Sequence, residues 1–92
     1  MSNLPRNSDW RALVTRSIRA EMLRRNIKYQ ELSDSLQQLG VQQSADNLRN
    51  KINKGILGAD LLLQIVYVLN MRNIGRDEIV LNLADMGFQM AP

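Results

Sequence analysis

The 92-residue chain is predicted to be all-α, built from about five short helices in one domain. Three observations predict this. Apolar residues recur at helical spacing through three successive segments. Each segment closes on a residue suited to the left-handed conformation: Asn26, Gly40 and Gly55. The one long apolar run, from Leu61 to Leu69, has no partner strand elsewhere in the chain.

Residues 1–7 contain Pro5 and show no apolar periodicity, so they read as a flexible N-terminal arm with Arg6 free for electrostatic contact. Residues 8–92 read as a single helical domain, since this length supports one small core and not two. Ser8 and Asp9 are N-cap residue types just before Trp10. Leu13, Val14 and Ile18 follow at helical spacing, and the first helix is expected to reach about Arg25. Asn26 stops it and Ile27 packs at the junction.

A second helix spans Tyr29 to Leu39, with Leu32, Leu36 and Leu39 on one face. Gly40 ends it, and Val41 anchors the turn. Ser44 caps a third helix, 44–54, which puts Ala45, Leu48 and Ile52 on one side and Asn47, Asn50 and Lys54 on the other. Gly55 closes this helix, with Asn53 and Lys54 in its last turn.

The fourth segment starts near Gly58 or Ala59 and is apolar in nearly every direction around a helical wheel. Periodicity alone does not separate a buried strand from a helix here, and the helical context favours a helix. A helix of this kind is either central to the core or shared with a second subunit. Met71 to Gly75 reads as a loop. Asp77 and Glu78 suit the first turn of a final helix carrying Ile79, Leu83 and Met86, and Phe88, Met90 and Ala91 form a short apolar tail. The apolar surplus between 57 and 90 points to a homodimer interface.

Composition excludes several classes of activity. Cysteine and histidine are absent, which removes disulfides, thiolate nucleophiles, imidazole bases and the usual zinc ligand sets. Ser33, Ser35 and Ser44 have no base to activate them, no glycine-rich phosphate loop occurs, and the carboxylates have no metal-binding spacing. No enzyme activity, cofactor or metal is expected. The apolar run is far shorter than the roughly 20 residues of a membrane span, and residues 1–8 do not resemble a signal peptide, so a soluble cytoplasmic protein is expected.

Charge is unevenly placed. Residues 1–54 hold ten Arg and Lys against five Asp and Glu, whereas residues 55–92 hold two against four. A basic part joined to a mildly acidic one suits a polyanion-facing surface, although the arginines of the first helix also serve simply to solvate it.

The basic and amide side chains gather on and before the third helix. Asn47 and Asn50 can pair bidentately with adenine in a major groove, and Gln42, Gln43 and Ser44 lie where base edges are often reached. Arg49, Lys51 and Lys54 suit phosphate contacts, as does Lys28 at the start of the second helix. Three asparagines in seven residues are poor helix formers, which argues for a purpose beyond solvation. Tyr29 either touches a sugar-phosphate or packs beneath the third helix. Asp46 is a dipole partner in the first turn, and facing DNA it would repel phosphate.

Lys28-Tyr29-Gln30-Glu31-Leu32-Ser33, Gly40-Val41, Ile52-Asn53-Lys54-Gly55 and the apolar helix after them together resemble the lambda-repressor-like helix-turn-helix class, the Cro and phage-repressor type. The resemblance covers about Val14 to Leu69, with the helix-turn-helix at about 28–55. The chain is also similar to an uncharacterised bacterial domain family with a Tyr-x-x-Leu, Gly-Val, Asn-Leu-x-Asn-Lys-Ile-x-x-Gly signature, matched by Tyr29, Leu32, Gly40, Val41, Asn47, Leu48, Asn50, Lys51, Ile52 and Gly55.

The broader class implies a bacterial or phage-type transcriptional regulator that reads double-stranded DNA with the third helix as a homodimer. Three features depart from it. The second helix is about one turn longer, Leu48 and Ile52 are four apart instead of three, and Asn53 replaces the class's Glu, which pairs with an Arg on the first helix. A reversed pair, Glu21 with Lys51, is one expectation; the other is that Glu21 pairs locally with Arg24 or Arg25. The competing functional reading is a protein-interaction adaptor acting through residues 57–90. RNA binding is disfavoured, because four scattered aromatics form no stacking platform.

Overall fold

The computed structural model describes residues 4–72 and 74–89. It contains five helices: α1 (Asn7–Arg24), α2 (Tyr29–Gln38), α3 (Ala45–Lys54), α4 (Ala59–Val68) and α5 (Arg76–Asp85). The described residues include no strand, so the apolar run at 61–69 is helical.

One sequence device terminates all five helices. Asn26, Gly40, Gly55, Asn70 and Gly87 each take a positive φ. The residue after each sends its N–H back over a turn: Ile27 to Met22, Val41 to Leu36, Ile56 to Lys51, Met71 to Val66 and Phe88 to Leu83, all at 2.8–3.0 Å. This 6→1 bond, with an apolar residue following the left-handed one, is the Schellman arrangement, which satisfies carbonyls that the helix end would otherwise leave open. Phe88, expected in a short apolar tail, is half-buried as the closing residue of α5. Met90 and Ala91 lie outside the described residues.

Helix starts differ in places from the sequence expectation. The N-cap of α1 is Arg6, not Ser8 or Asp9, because the Asp9 carboxylate accepts the Arg6 N–H at 2.8 Å from three residues into the helix. This brings Asn7 out of the expected arm and into the first turn. Ser44 does cap α3, its hydroxyl accepting the Asn47 N–H at 3.0 Å.

Ile18, Leu32, Leu36, Leu48, Ile52, Ile65 and Leu69 are almost completely excluded from solvent and form the centre of the core, with Met22 and Leu61 beside them. Leu39, expected to share the buried face of α2, is exposed. The helix ends at Gln38 and the chain reverses at Gly40, which brings Val41 into that place instead. Trp10, expected on the apolar face of α1, is exposed.

α1 packs on α3, and α2 packs on both α3 and α4. Gly55 marks the closest approach of α1 to α3, because a Cβ at this position would overlap the Arg11 carbonyl. Thr15 secures the same contact, its hydroxyl donating to the Ile52 carbonyl at 2.5 Å. At the opposite end of α1, the Arg25 guanidinium joins Glu21 at 3.0 Å to the Asn70 carbonyl at 3.1 Å, tying the ends of α1 and α4 together. α5 packs on α1 and on no other helix among the described residues. Leu13 of α1 and Leu83 of α5 are buried outside the main cluster.

Candidate nucleic-acid interface

The face of α3 follows directly from its register. With Leu48 and Ile52 fully buried, a 100° step per residue directs Asn50 almost straight outward, flanked by Asp46, Asn47 and Lys54. All four are exposed. The side chains of Asn47, Asn50 and Lys54 make no hydrogen bond or ion pair among the described residues, so their polar groups are open to an external partner.

The remaining sequence-predicted residues fall into two groups. Gln42, Ser44, Lys28 and Arg49 are exposed. Gln43 and Lys51 are half-buried and bind each other, with Lys51 Nζ donating to Gln43 Oε1 at 3.3 Å. The Gln43 carbonyl also accepts the Ser33 hydroxyl at 2.6 Å, so this residue fastens the α2–α3 turn to α2. These contacts turn Lys51 and Gln43 toward the joint between the two helices.

The suggested Glu21–Lys51 pair does not form. Glu21 is held by Arg24 and Arg25 of its own helix, the alternative expectation, while Lys51 is on the side of α3 that faces the turn. Asn53 also takes no charge-pair role. Its side-chain oxygen is 3.5 Å from the Tyr29 hydroxyl.

Tyr29 resolves to the packing alternative. Its ring is half-buried against the core, and the Arg49 guanidinium carbon lies 5.2 Å from the ring centroid, within range of a cation–π contact. Arg49 also donates to Asp46 at 2.6 Å, so Asp46 is an ion-pair partner as well as a helix-terminal charge. Two contacts therefore orient the Arg49 guanidinium, and both lie at the protein surface, where such a pair contributes at most about 1 kcal/mol.

One group was missed by sequence reasoning. Arg19 on α1, Lys28 before α2 and Arg49 on α3 line one open cleft, floored by Met22, Ile27 and Ala45. Nothing in the spacing of these residues along the chain brings them together. The crossing of α1 over α3 does, with Arg19 one turn beyond Thr15, whose side chain touches α3. A second concave surface, lined by Ser33, Gln37, Gln42, Gln43 and Ser44, lies at the α2–α3 turn and presents uncharged hydrogen-bonding groups. Glu31, Asp34 and Asp46 interrupt the positive surface. Glu31 accepts the Lys28 N–H at 3.1 Å and Asp34 accepts the Gln30 amide at 3.1 Å.

Among the described residues no cluster of acidic side chains could hold a metal ion, and no helix is long and apolar enough to cross a membrane. Fold and surface together define a small five-helix domain whose third helix presents an amide-rich and basic face beside a cleft of three cations. The chain belongs to the family described as a domain of unknown function, DUF6471, which matches residues 10–74. The match runs from Trp10 in α1 through α4 and stops before α5. No curated protein and no solved structure matches the chain.

Proposed function

We propose that this domain binds double-stranded DNA, with α3 in the major groove, and acts as a small, non-catalytic, cytoplasmic transcriptional regulator of the bacterial or phage type. The observation carrying this reading is the outward face of α3, where Asn47, Asn50 and Lys54 stand exposed and unengaged by the rest of the chain. Asn50 and Asn47 have the donor-acceptor pair needed to read adenine, at about 1–3 kcal/mol of discrimination for each good bidentate contact. Lys54, Lys28, Arg49 and Arg19 supply phosphate contacts on either side of the reading face. The resemblance of residues 14–69 to the lambda-repressor-like class supports the same assignment.

Asp46 gives the reading a mechanism to test. It faces the same side as Asn50 and neutralises Arg49 in the free protein, so docking on phosphate exchanges one partner of Arg49 for another. Affinity then depends on how far the phosphate contacts outweigh repulsion from Asp46.

A second reading rests on a different surface. Leu63 and Tyr67 on α4 are 64% and 72% exposed and lie beside Leu39 and Val41, forming an apolar patch. In the adaptor alternative this patch binds another protein. In the DNA reading it joins two copies of the chain, which must then set their third helices about 34 Å apart to reach successive major grooves.

The test is fluorescence anisotropy of labelled duplex DNA at low and moderate salt, comparing the wild type with an Asn50→Ala, Lys54→Ala double variant. Expected is binding that weakens steeply with salt, and a variant that binds more weakly with a shallower salt slope, by about one unit for a lost phosphate contact. No binding at low salt would reject the DNA reading in favour of the adaptor. Equal binding by both proteins would remove DNA from α3.

A further inference from the structure

The last helix carries an outward stripe of acid and leucine. Asp77, Leu81 and Asp85 recur every four residues, so they fall on one side of α5, and all three are exposed. A carboxylate therefore stands about 6 Å along the helix on either side of Leu81. Leu83, on the inner side, is buried, which turns the stripe away from the chain that carries it.

The cleft between α1, α2 and α3 has the opposite pattern. Arg19, Lys28 and Arg49 stand around an apolar floor of Met22, Leu23 and Ile27, and no acidic side chain lines it. Leu23 is 83% exposed, so most of its side chain has no neighbour in its own chain. Arg49 is paired with Asp46, whereas Arg19 and Lys28 have no acidic partner among the described residues. Asp77 likewise has no basic partner among them.

The two surfaces are neighbours within one copy. Asp85 at the end of the acidic stripe lies 3.8 Å from Arg16, and Arg16 is about 60° from Arg19 around α1. The acidic stripe faces outward, so it reaches a basic cleft only in another copy.

We propose that this cleft receives α5 of a second copy of the chain, with Leu81 against Leu23 and the apolar floor and with Asp77 and Asp85 beside Arg19 and Lys28. Because the stripe and the cleft adjoin, a two-fold related copy engages both at once, and the assembly closes as a dimer. Opposite charge sets the pairing and its orientation, and burial of the two leucines adds affinity. The contact does not rest on the DNA reading. Where DNA is bound, its phosphates and α5 contend for the same cations.

The test is sedimentation of the full chain over a range of concentration at low and moderate salt. All proteins carry Leu63→Ser and Tyr67→Ser, which removes the α4 patch from the measurement. One variant adds Arg19→Glu with Lys28→Glu, and another adds Asp77→Lys with Asp85→Lys. Helical circular dichroism checks that each is folded. Each variant alone opposes like charges at the contact, whereas a mixture of the two restores opposite charges in both directions.

Expected is a parent that dimerises and weakens with salt, two variants that associate at least tenfold more weakly, and an equimolar mixture that dimerises again. Leu81→Ser removes the central contact without changing charge and should weaken the parent dimer at least fivefold, which decides the matter if a charge variant does not fold. A parent that stays monomeric at low salt overturns the proposal. So does association retained by either charge variant alone, a mixture no more associated than its components, or a Leu81→Ser protein that dimerises as the parent does.

Discussion

The α2–α3 half and the α4–α5 half of this molecule solve the packing problem differently. Within α2 and α3 the large apolar side chains Leu32, Leu36, Leu48 and Ile52 are all fully buried, and the outward faces of both helices carry amide, hydroxyl and charge, with Leu39 exposed just after α2. On α4 and α5 the inner positions are also sealed, by Ile65, Leu69 and Leu83, yet Leu63, Tyr67 and Leu81 stay largely exposed. An open apolar groove lies between α5 and part of α1. The two helices of the first half have buried nearly all of their apolar surface and offer polar groups outward, whereas α4 and α5 leave large apolar side chains exposed. A single small fold thereby carries two surfaces with different chemical preferences.

The largest break in that comparison is expected at the α1–α3 contact that supports the first half. Gly55→Ala adds a Cβ into the Arg11 backbone at a residue with φ +64°, combining left-handed strain with a clash that no side-chain rotation relieves. The expected loss is roughly 3–5 kcal/mol, or well over 10 °C in Tm by thermal circular dichroism. Gly40→Ala is the control: φ is +81° but a Cβ there meets nothing within 4 Å, so about 1–2 kcal/mol is expected. Equal losses at the two glycines would refute the close approach of α1 to α3.

The next comparison sharpens the difference in helix attachment. Leu36→Ala and Leu83→Ala each truncate a buried leucine, and the general range for such a change is about 2–5 kcal/mol. Leu36 lies in the main cluster and should fall at the high end. Leu83 is the buried residue of α5, outside that cluster, and should fall at the low end, with amide exchange accelerating in α5 before it does in α2 or α3. Simultaneous acceleration in all five helices would instead make α5 an integral part of the cooperative unit.

The smallest effect on the isolated fold is expected from Leu63→Ser with Tyr67→Ser. Both residues are exposed, so monomer stability should change by no more than about 0.5 kcal/mol per site. Self-association measured by sedimentation should fall if this patch joins two copies, and an unchanged sedimentation profile would remove it from any dimer interface.

Much of the local structure was legible in the chain. Asn26, Gly40 and Gly55 could be read as helix ends and Ser44 as a cap, and the buried faces of α2 and α3 followed from leucine and isoleucine spacing. The same punctuation was present but unread at Asn70-Met71 and Gly87-Phe88, where a left-handed residue is again followed by an apolar one. Arg6 was misread because the Ser8 and Asp9 residue types suit two neighbouring helix positions, and the choice depends on which N–H the carboxylate reaches.

The sequence by itself determined the helices, their ends and the residues that each turns inward, because backbone hydrogen bonding and the 3.6-residue period act within a few positions. It also determined which side chains α3 has available, since burying Leu48 and Ile52 orients Asn50 outward whatever the partner helix. Only the tertiary structure decided that Arg19 joins Lys28 and Arg49, that Lys51 turns to Gln43, that Leu39 gives way to Val41, and that α5 leaves an open groove against α1. Those outcomes depend on how helices cross, and crossing is set by the fit of many side chains at once.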